Sequence, residues 1–125
     1  VPPTVIARLA VILALSLPLM AARSDPLDGR IAGEPQQCLN LSLQTTSPVI
    51  EDGNTIVYRQ SGRRWWVTHP VGGCGTLRPL ATLIVEPFGN RLCENDRFRT
   101  IIPGQIIPSA YCRFGPFTPY DKPSK

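Results

Sequence analysis

Short runs of aliphatic, β-branched and aromatic residues, divided by Gly, Pro, Asn or Asp, characterise the chain beyond its first third. Alternation with period two over residues 38–43 places Leu39, Leu41 and Leu43 on one face of a strand. Beyond the apolar N-terminus, no segment combines a capping residue with a sustained amphipathic helical period. The pattern predicts an all-β domain over residues 38–117, mainly antiparallel and folded as a small barrel or sandwich.

A hairpin is the strongest local signal. Thr55–Gln60 and Arg63–His69 are rich in strand-forming residues, and a Ser-Gly turn lies between them. Residues 23–37 are predicted as an irregular lead-in, and three prolines near the end predict a flexible tail over residues 118–125. The other strand candidates are short runs bounded by turn signals, at residues 48–50, 80–86, 91–93, 98–102, 105–107 and 110–114.

Residues 1–22 differ in composition from the rest of the chain. Arg8 is their only charge, and an apolar run over residues 9–20 follows it and ends beside two alanines. This order is typical of a secretory signal peptide. The run is shorter than the roughly 20 residues that a helix needs to span a bilayer core, so we predict no stable membrane anchor. We expect cleavage between Ala21 and Ser24 and a periplasmic or secreted protein.

Four well-separated cysteines, Cys38, Cys74, Cys93 and Cys112, lie in the predicted mature chain. In an exported protein this number indicates two disulfides, which stabilise a domain with a small core. Zinc is the alternative, but it usually needs closely spaced ligand pairs, and His69 is the only histidine. We therefore predict no metal and no cofactor. Three pairings are open, and we favour Cys38–Cys112 with Cys74–Cys93 because the first bond would tie the first predicted strand to the last.

Several motifs around these cysteines resemble those of a known family. Arg30–Gly33 precedes the first cysteine, Gly73 precedes the second, Leu92–Asp96 surrounds the third, and the chain from Cys112 to Phe117 reads C-x-x-G-P-F. These segments are similar to a family of small exported proteobacterial proteins with four cysteines and no assigned function. The resemblance implies a location in the bacterial envelope and a cystine-stabilised β fold. It brings no catalytic residues.

The length of 125 residues and the charged fraction of 18% exclude a large multidomain enzyme and a disordered acidic tail. The net charge of +4 is modest, and with predicted export it gives no reason to expect a nucleic-acid partner. The composition fits one small exported domain.

Candidate catalytic residues are few. A nucleophile–histidine pair would have to use His69, and no G-x-S-x-G motif is present. Glu51 with Asp52, and Glu94 with Asp96, are paired acids, but both pairs lie in predicted turns where carboxylates commonly bond the local backbone. A small hydrolase or inhibitor acting on cell-envelope polymers is therefore the alternative to a protein without catalytic activity. It would need Glu51 or Glu94 to face a cleft.

The candidate ligand-binding residues are Arg63, Arg64, Trp65 and Trp66. Because successive strand residues point to opposite faces, one tryptophan should enter the core and the other should lie exposed beside arginine. That pairing suits stacking on sugars or clamping an anionic polymer. The simpler interpretation is a core tryptophan on a strand edge protected by charge. The sequence predicts a non-enzymatic binding or structural module of the bacterial envelope, with an envelope glycan or protein as partner.

Overall fold

The computed structural model describes residues 25–124, so the predicted signal peptide lies outside the described residues. Within this range every strand pairing is antiparallel, which confirms the predicted fold class, and the sheets do not close into a barrel. The elements are β1 (Ile31–Ala32), β2 (Cys38–Asn40), a 3-10 helix (Leu41–Leu43), β3 (Val49–Asp52), β4 (Thr55–Arg59), β5 (Arg64–Thr68), β6 (Thr82–Val85), β7 (Arg91–Cys93), β8 (Arg97–Ile101), β9 (Cys112–Arg113) and β10 (Thr118–Asp121).

The strands form three sheets. The largest has the order β1-β10-β5-β4-β3, a second pairs β2 with β7, and a third has the order β6-β8-β9. The predicted hairpin is the centre of the largest sheet, where Tyr58 pairs with Trp66 and Arg59 with Trp65. This sheet carries the candidate binding residues.

The predicted flexible tail over residues 118–125 is wrong for its first half, because Thr118–Asp121 forms β10 between β1 and β5. Proline is normally confined to strand edges, since it cannot donate to a neighbouring strand. The carbonyl oxygen of Pro119 accepts a hydrogen bond from the N–H of Gly33 at 2.8 Å. In an antiparallel strand the nitrogen and carbonyl oxygen of one residue point to the same side, so the nitrogen of Pro119 also points away from β5. The missing N–H therefore removes no hydrogen bond between β10 and β5. Within the predicted irregular lead-in, Ile31–Ala32 forms β1 against β10.

The predicted strand over residues 38–43 ends early. The Asn40 side-chain oxygen accepts from the N–H of Ser42 at 3.0 Å and begins the 3-10 turn. Leu39 is buried, whereas Leu43 is 51% exposed, so the leucines do not share a face. Residues 105–107 form no strand either, because a turn closes from the N–H of Gln105 to the Ile102 carbonyl.

Aromatic side chains fill the core between the sheets. Phe114 is fully buried, and its ring centre lies 4.4 Å from that of Phe98, 5.7 Å from Phe117 and 6.5 Å from Tyr58. These are the distances of favourable offset and edge-on contacts. Burial raises the pKa of the Tyr58 phenol, whose oxygen has no hydrogen-bond partner among residues 25–124.

Gly115 lets the chain after β9 pass close to the end of β5. A Cβ atom at this position would overlap the carbonyl oxygen of His69. The Thr68 hydroxyl donates to the Gly115 carbonyl at 3.0 Å, which holds the two segments together. The C-x-x-G-P-F ending therefore needs glycine at this position because the backbone of Gly115 lies against that of His69.

The disulfides are Cys38–Cys93 and Cys74–Cys112. The predicted number of two disulfides is confirmed, but the favoured pairing is wrong. Cys38 lies directly opposite Cys93 in the β2–β7 ladder, with their Cα atoms 3.9 Å apart. That register decides the pairing. The second bond then fastens the loop after β5 to β9.

Candidate functional site

The β4–β5 hairpin places the two tryptophans on opposite faces of the large sheet. Trp66 packs against the core, and its indole N–H donates to the Gln60 side chain at 2.9 Å. Trp65 is half-buried on the other face, between Arg59 of β4 and Tyr120 of β10 in the strand register. Trp65 is therefore the tryptophan that a ligand could approach.

Two guanidinium groups lie over the Trp65 ring. The Cζ atom of Arg30 is 3.9 Å from the ring centre, and that of Arg59 is 4.6 Å from it. Arg59 comes from β4 on one side of β5, whereas Arg30 precedes β1 on the other side. Both distances are within the range of cation–π attraction, so the ring holds two positive charges close together.

Backbone carbonyls fix the position of Arg30. Its Nη1 donates to the Arg63 carbonyl at 2.9 Å and its Nη2 to the Gly62 carbonyl at 3.0 Å. Partial burial lowers the pKa of Arg30, and nearby Arg59 acts in the same direction, whereas Asp121 raises it. An arginine remains charged under these influences, so the lead-in adds a fixed cation to the hairpin.

Arg64 and Asp121 form a two-point ion pair across β5 and β10. Arg64 Nε donates to Oδ1 at 2.8 Å, and Nη2 donates to Oδ2 at 2.7 Å. The hydrogen bond from Arg64 lowers the pKa of Asp121, and the charges of Arg64, Arg30 and Arg63 lower it further. One carboxylate is thus surrounded by several cations.

The side chains on the Trp65 face form one surface, which we call the Trp65 patch. It carries three arginines and one lysine around the ring, from residues Arg30, Arg59, Arg63, Trp65 and Lys122. Arg64 and Asp121 project from the opposite face, where the Arg64 guanidinium lies 5.6 Å from the Trp66 ring centre. Arg63 and Lys122 are exposed, and neither pairs with a carboxylate in the described part of the chain. Both line a shallow groove of about 510 Å³. The patch can bind an anion.

The structure places all four predicted binding residues on this hairpin and adds Arg30 and Lys122, which sequence reasoning missed. Both come from segments predicted to be irregular or flexible. The R-I-x-G motif around Arg30 and the basic residue after the last tyrosine were the available signals. Neither signal shows that Arg30 or Lys122 lies near Trp65, because that proximity depends on the pairing of β1 with β10 and of β10 with β5.

Two of the paired acids, Asp52 and Asp96, cap turns through backbone hydrogen bonds. Asp52 accepts from the Asn54 N–H at 2.8 Å, and Asp96 accepts from the Cys93 N–H at 2.7 Å. Glu51 and Asp52 both line a cavity of about 620 Å³ with His69. His69 Nδ1 lies 2.7 Å from the Asn54 carbonyl oxygen, which can only accept, so Nδ1 carries a proton. Residues 25–124 contain no group of three acidic, cysteine or histidine side chains placed to hold a metal ion.

No family model, curated protein or solved structure matches this chain. The resemblance to the four-cysteine exported family therefore stays a prediction. Its motif residues nevertheless have visible structural roles, since Leu92 is buried, Cys93 forms a disulfide and Gly115 permits a close approach. Across residues 25–124 no helix has the length and apolar character that crossing a membrane requires.

We expect Asp121→Asn to lower the free energy of unfolding at pH 7 by about 0.2–1 kcal/mol, as is usual for a partly exposed ion pair. The folded-state pKa of Asp121 is lowered, so its stabilisation is present above the unfolded pKa of about 3.9 and is lost as pH falls through the folded value. Urea denaturation at neutral and acid pH checks this. The control is Asp28→Asn, at an exposed acid outside the ion pairs of the described chain. A difference that persists unchanged at acid pH would contradict the assignment.

Proposed function

We propose that this protein is an exported, non-enzymatic binding module of the bacterial envelope that holds an anionic polymer at the Trp65 patch. The observation that carries the proposal is the pair of guanidinium groups held over Trp65 beside the exposed cations Arg63 and Lys122. The apolar N-terminal run and the two disulfides support export.

An anionic group suits this surface better than a neutral sugar ring. The guanidinium groups of Arg30 and Arg59 already lie over Trp65, so a stacked sugar would have to displace a cation. A carboxylate or phosphate instead meets guanidinium donors whose planar forks match its geometry. The proposed ligand is therefore a glycan or related polymer that carries carboxylate or phosphate groups.

The patch is organised before a ligand arrives. Hydrogen bonds to backbone carbonyls hold the Arg30 guanidinium in place over the Trp65 ring. Side chains that are already ordered lose little conformational entropy on binding. Arg63 and Lys122 stay exposed at the groove, where they can meet a repeating negative charge.

The test compares two variants with equal net charge. Arg63→Gln/Lys122→Gln removes the exposed cations of the patch, and Arg78→Gln/Arg91→Gln removes two exposed arginines outside it. We expect the patch variant to raise the Kd for polygalacturonate about 5- to 30-fold, which corresponds to about 1–2 kcal/mol for two lost charge contacts. The control variant should bind like the unmodified protein, and both should keep its melting temperature.

Isothermal titration or a pull-down with the immobilised polymer measures this difference, with methyl-esterified polymer as the uncharged reference. Equal weakening in both variants would indicate attraction by net charge alone and would overturn the proposal. Equal binding to the charged and esterified polymers would overturn it in favour of sugar stacking.

A further inference from the structure

The loop between β8 and β9 presents apolar residues to solvent. Ile106 is 92% exposed and Ile107 is 82% exposed. The chain from Thr100 to Cys112 contains no charged residue, although Arg99 and Arg113 flank it directly. Single exposed apolar residues are ordinary, but two adjacent isoleucines at the end of an uncharged loop form a contiguous apolar tip.

Hydrogen bonds at the base of the loop keep this tip away from the core. The Thr100 N–H donates to Ser109 Oγ at 2.9 Å, and the Ser109 N–H donates to the Thr100 carbonyl at 2.8 Å. A turn at Gly104, which has φ +87°, reverses the chain before the isoleucines. The disulfide at Cys112 fixes the returning strand. The hydrogen bonds and the disulfide therefore hold the base of the loop in place while its tip extends into solvent.

Positive charge and one aromatic ring lie behind the tip. The guanidinium groups of Arg97 and Arg99 are 4.5 Å and 4.8 Å from the Tyr111 ring centre. Arg113 lies directly opposite Arg97 in the β8–β9 register, an arrangement of like charges that costs stability. Within the described chain, Glu86 is the only carboxylate within ion-pair distance of these arginines, 3.9 Å from both Arg97 and Arg99. A net positive surface remains.

We infer that this loop docks on a membrane surface with anionic headgroups. Ile106 and Ile107 enter the acyl boundary, Tyr111 lies at the interface, and the arginines of β8 and β9 contact the headgroups. The apolar tip matches the acyl chains, the aromatic ring matches the interface, and the arginines match the anionic headgroups, which is the order of these layers from the inside of a bilayer outwards. The inference goes beyond the Trp65 patch and uses none of its residues.

The experiment places a fluorescent reporter at the tip of the full chain. Ile106→Trp is compared with Leu43→Trp, at a leucine that is 51% exposed in the 3-10 turn. The probe is a vesicle of equal parts phosphatidylcholine and phosphatidylglycerol with brominated acyl chains, which quench only inserted tryptophans. We expect quenching above the background of Trp65 and Trp66 for Ile106→Trp alone.

This comparison also separates the loop from the apolar N-terminal run, which can itself bind lipid. If that run were the only contact, the reporters at residues 43 and 106 would be quenched alike, and the inference would fail. Absence of quenching at residue 106 would overturn it in favour of a protein partner or no partner.

A second measurement tests the energetics and the charge. Ile106→Ser/Ile107→Ser should weaken vesicle partitioning at least about tenfold, because the buried apolar area is lost, whereas Leu43→Ser should leave it unchanged. Arg97→Gln/Arg113→Gln should weaken binding to phosphatidylglycerol vesicles and leave weak binding to pure phosphatidylcholine unaltered. Equal loss on both lipids would contradict the proposed headgroup contact.

Discussion

Phe114→Ala is expected to lower the free energy of unfolding by about 3–5 kcal/mol, the cost of removing a fully buried aromatic side chain and leaving a cavity. The effect should be near the upper end because Phe114 contacts the rings of Tyr58, Phe98 and Phe117 at once. Denaturation by guanidinium chloride, followed through tryptophan fluorescence, measures it.

The matched control is the same substitution at Phe88, which is 84% exposed. Phe88→Ala should change the free energy of unfolding by no more than about 0.5 kcal/mol. Similar losses at both positions would contradict the assignment of Phe114 to the centre of the core.

Removal of either disulfide is expected to cost about 4 kcal/mol. The bonds close loops with sequence separations of 55 and 38 residues, and the chain-entropy model gives about 4.2 kcal/mol and about 3.9 kcal/mol for them. The paired variants Cys38→Ala/Cys93→Ala and Cys74→Ala/Cys112→Ala test each bond without leaving a free thiol. Denaturation of each variant against the oxidised parent measures the loss.

Trypsin can verify the pairing that these variants assume. Cleavage after arginine, except before proline, puts each cysteine on a separate peptide: 31–59, 65–91, 92–97 and 100–113. Without reductant, 31–59 should be linked to 92–97, and 65–91 to 100–113. Linkage of 31–59 to 100–113 would contradict the observed pairing and restore the one favoured from sequence.

Local signals in the sequence predicted the parts of the fold that depend on neighbouring residues. The β4–β5 hairpin formed as expected because its strand residues and its Ser61-Gly62 turn agree. The disulfide pairing depends on the register of β2 against β7, which are distant in sequence. No local pattern specifies that register, so choosing a pairing by the order of predicted strands failed.

The strand over residues 38–43 shows how a side chain can override periodicity. The alternation of its leucines is regular, but Asn40 caps a 3-10 turn and redirects Leu43 to solvent. The tail failed for the opposite reason. Its prolines indicate irregular structure, yet the backbone nitrogen of Pro119 points towards the β1 side of β10, so the hydrogen bonds between β10 and β5 do not need an N–H from this residue.

The candidate site was predictable only in its central strand. Alternation placed Trp65 and Trp66 on opposite faces, and the composition of residues 63–66 indicated a basic, aromatic surface. The cations that complete the patch come from Arg30 and Lys122, at the two ends of the described chain. Their approach depends on the pairing of β1 with β10 and of β10 with β5.

The position of β10 inside the large sheet has a consequence for biosynthesis. β5 obtains its second neighbour only when residues 118–121 have been made, long after its hairpin partner β4. The large sheet therefore cannot be completed before residues 118–121 are available to pair with β5. Such dependence on distant segments is typical of domains that fold in milliseconds to seconds. A chain that stops before Thr118 thus leaves the backbone groups of β5 that face β10 unpaired, and such an open strand edge can pair with another chain.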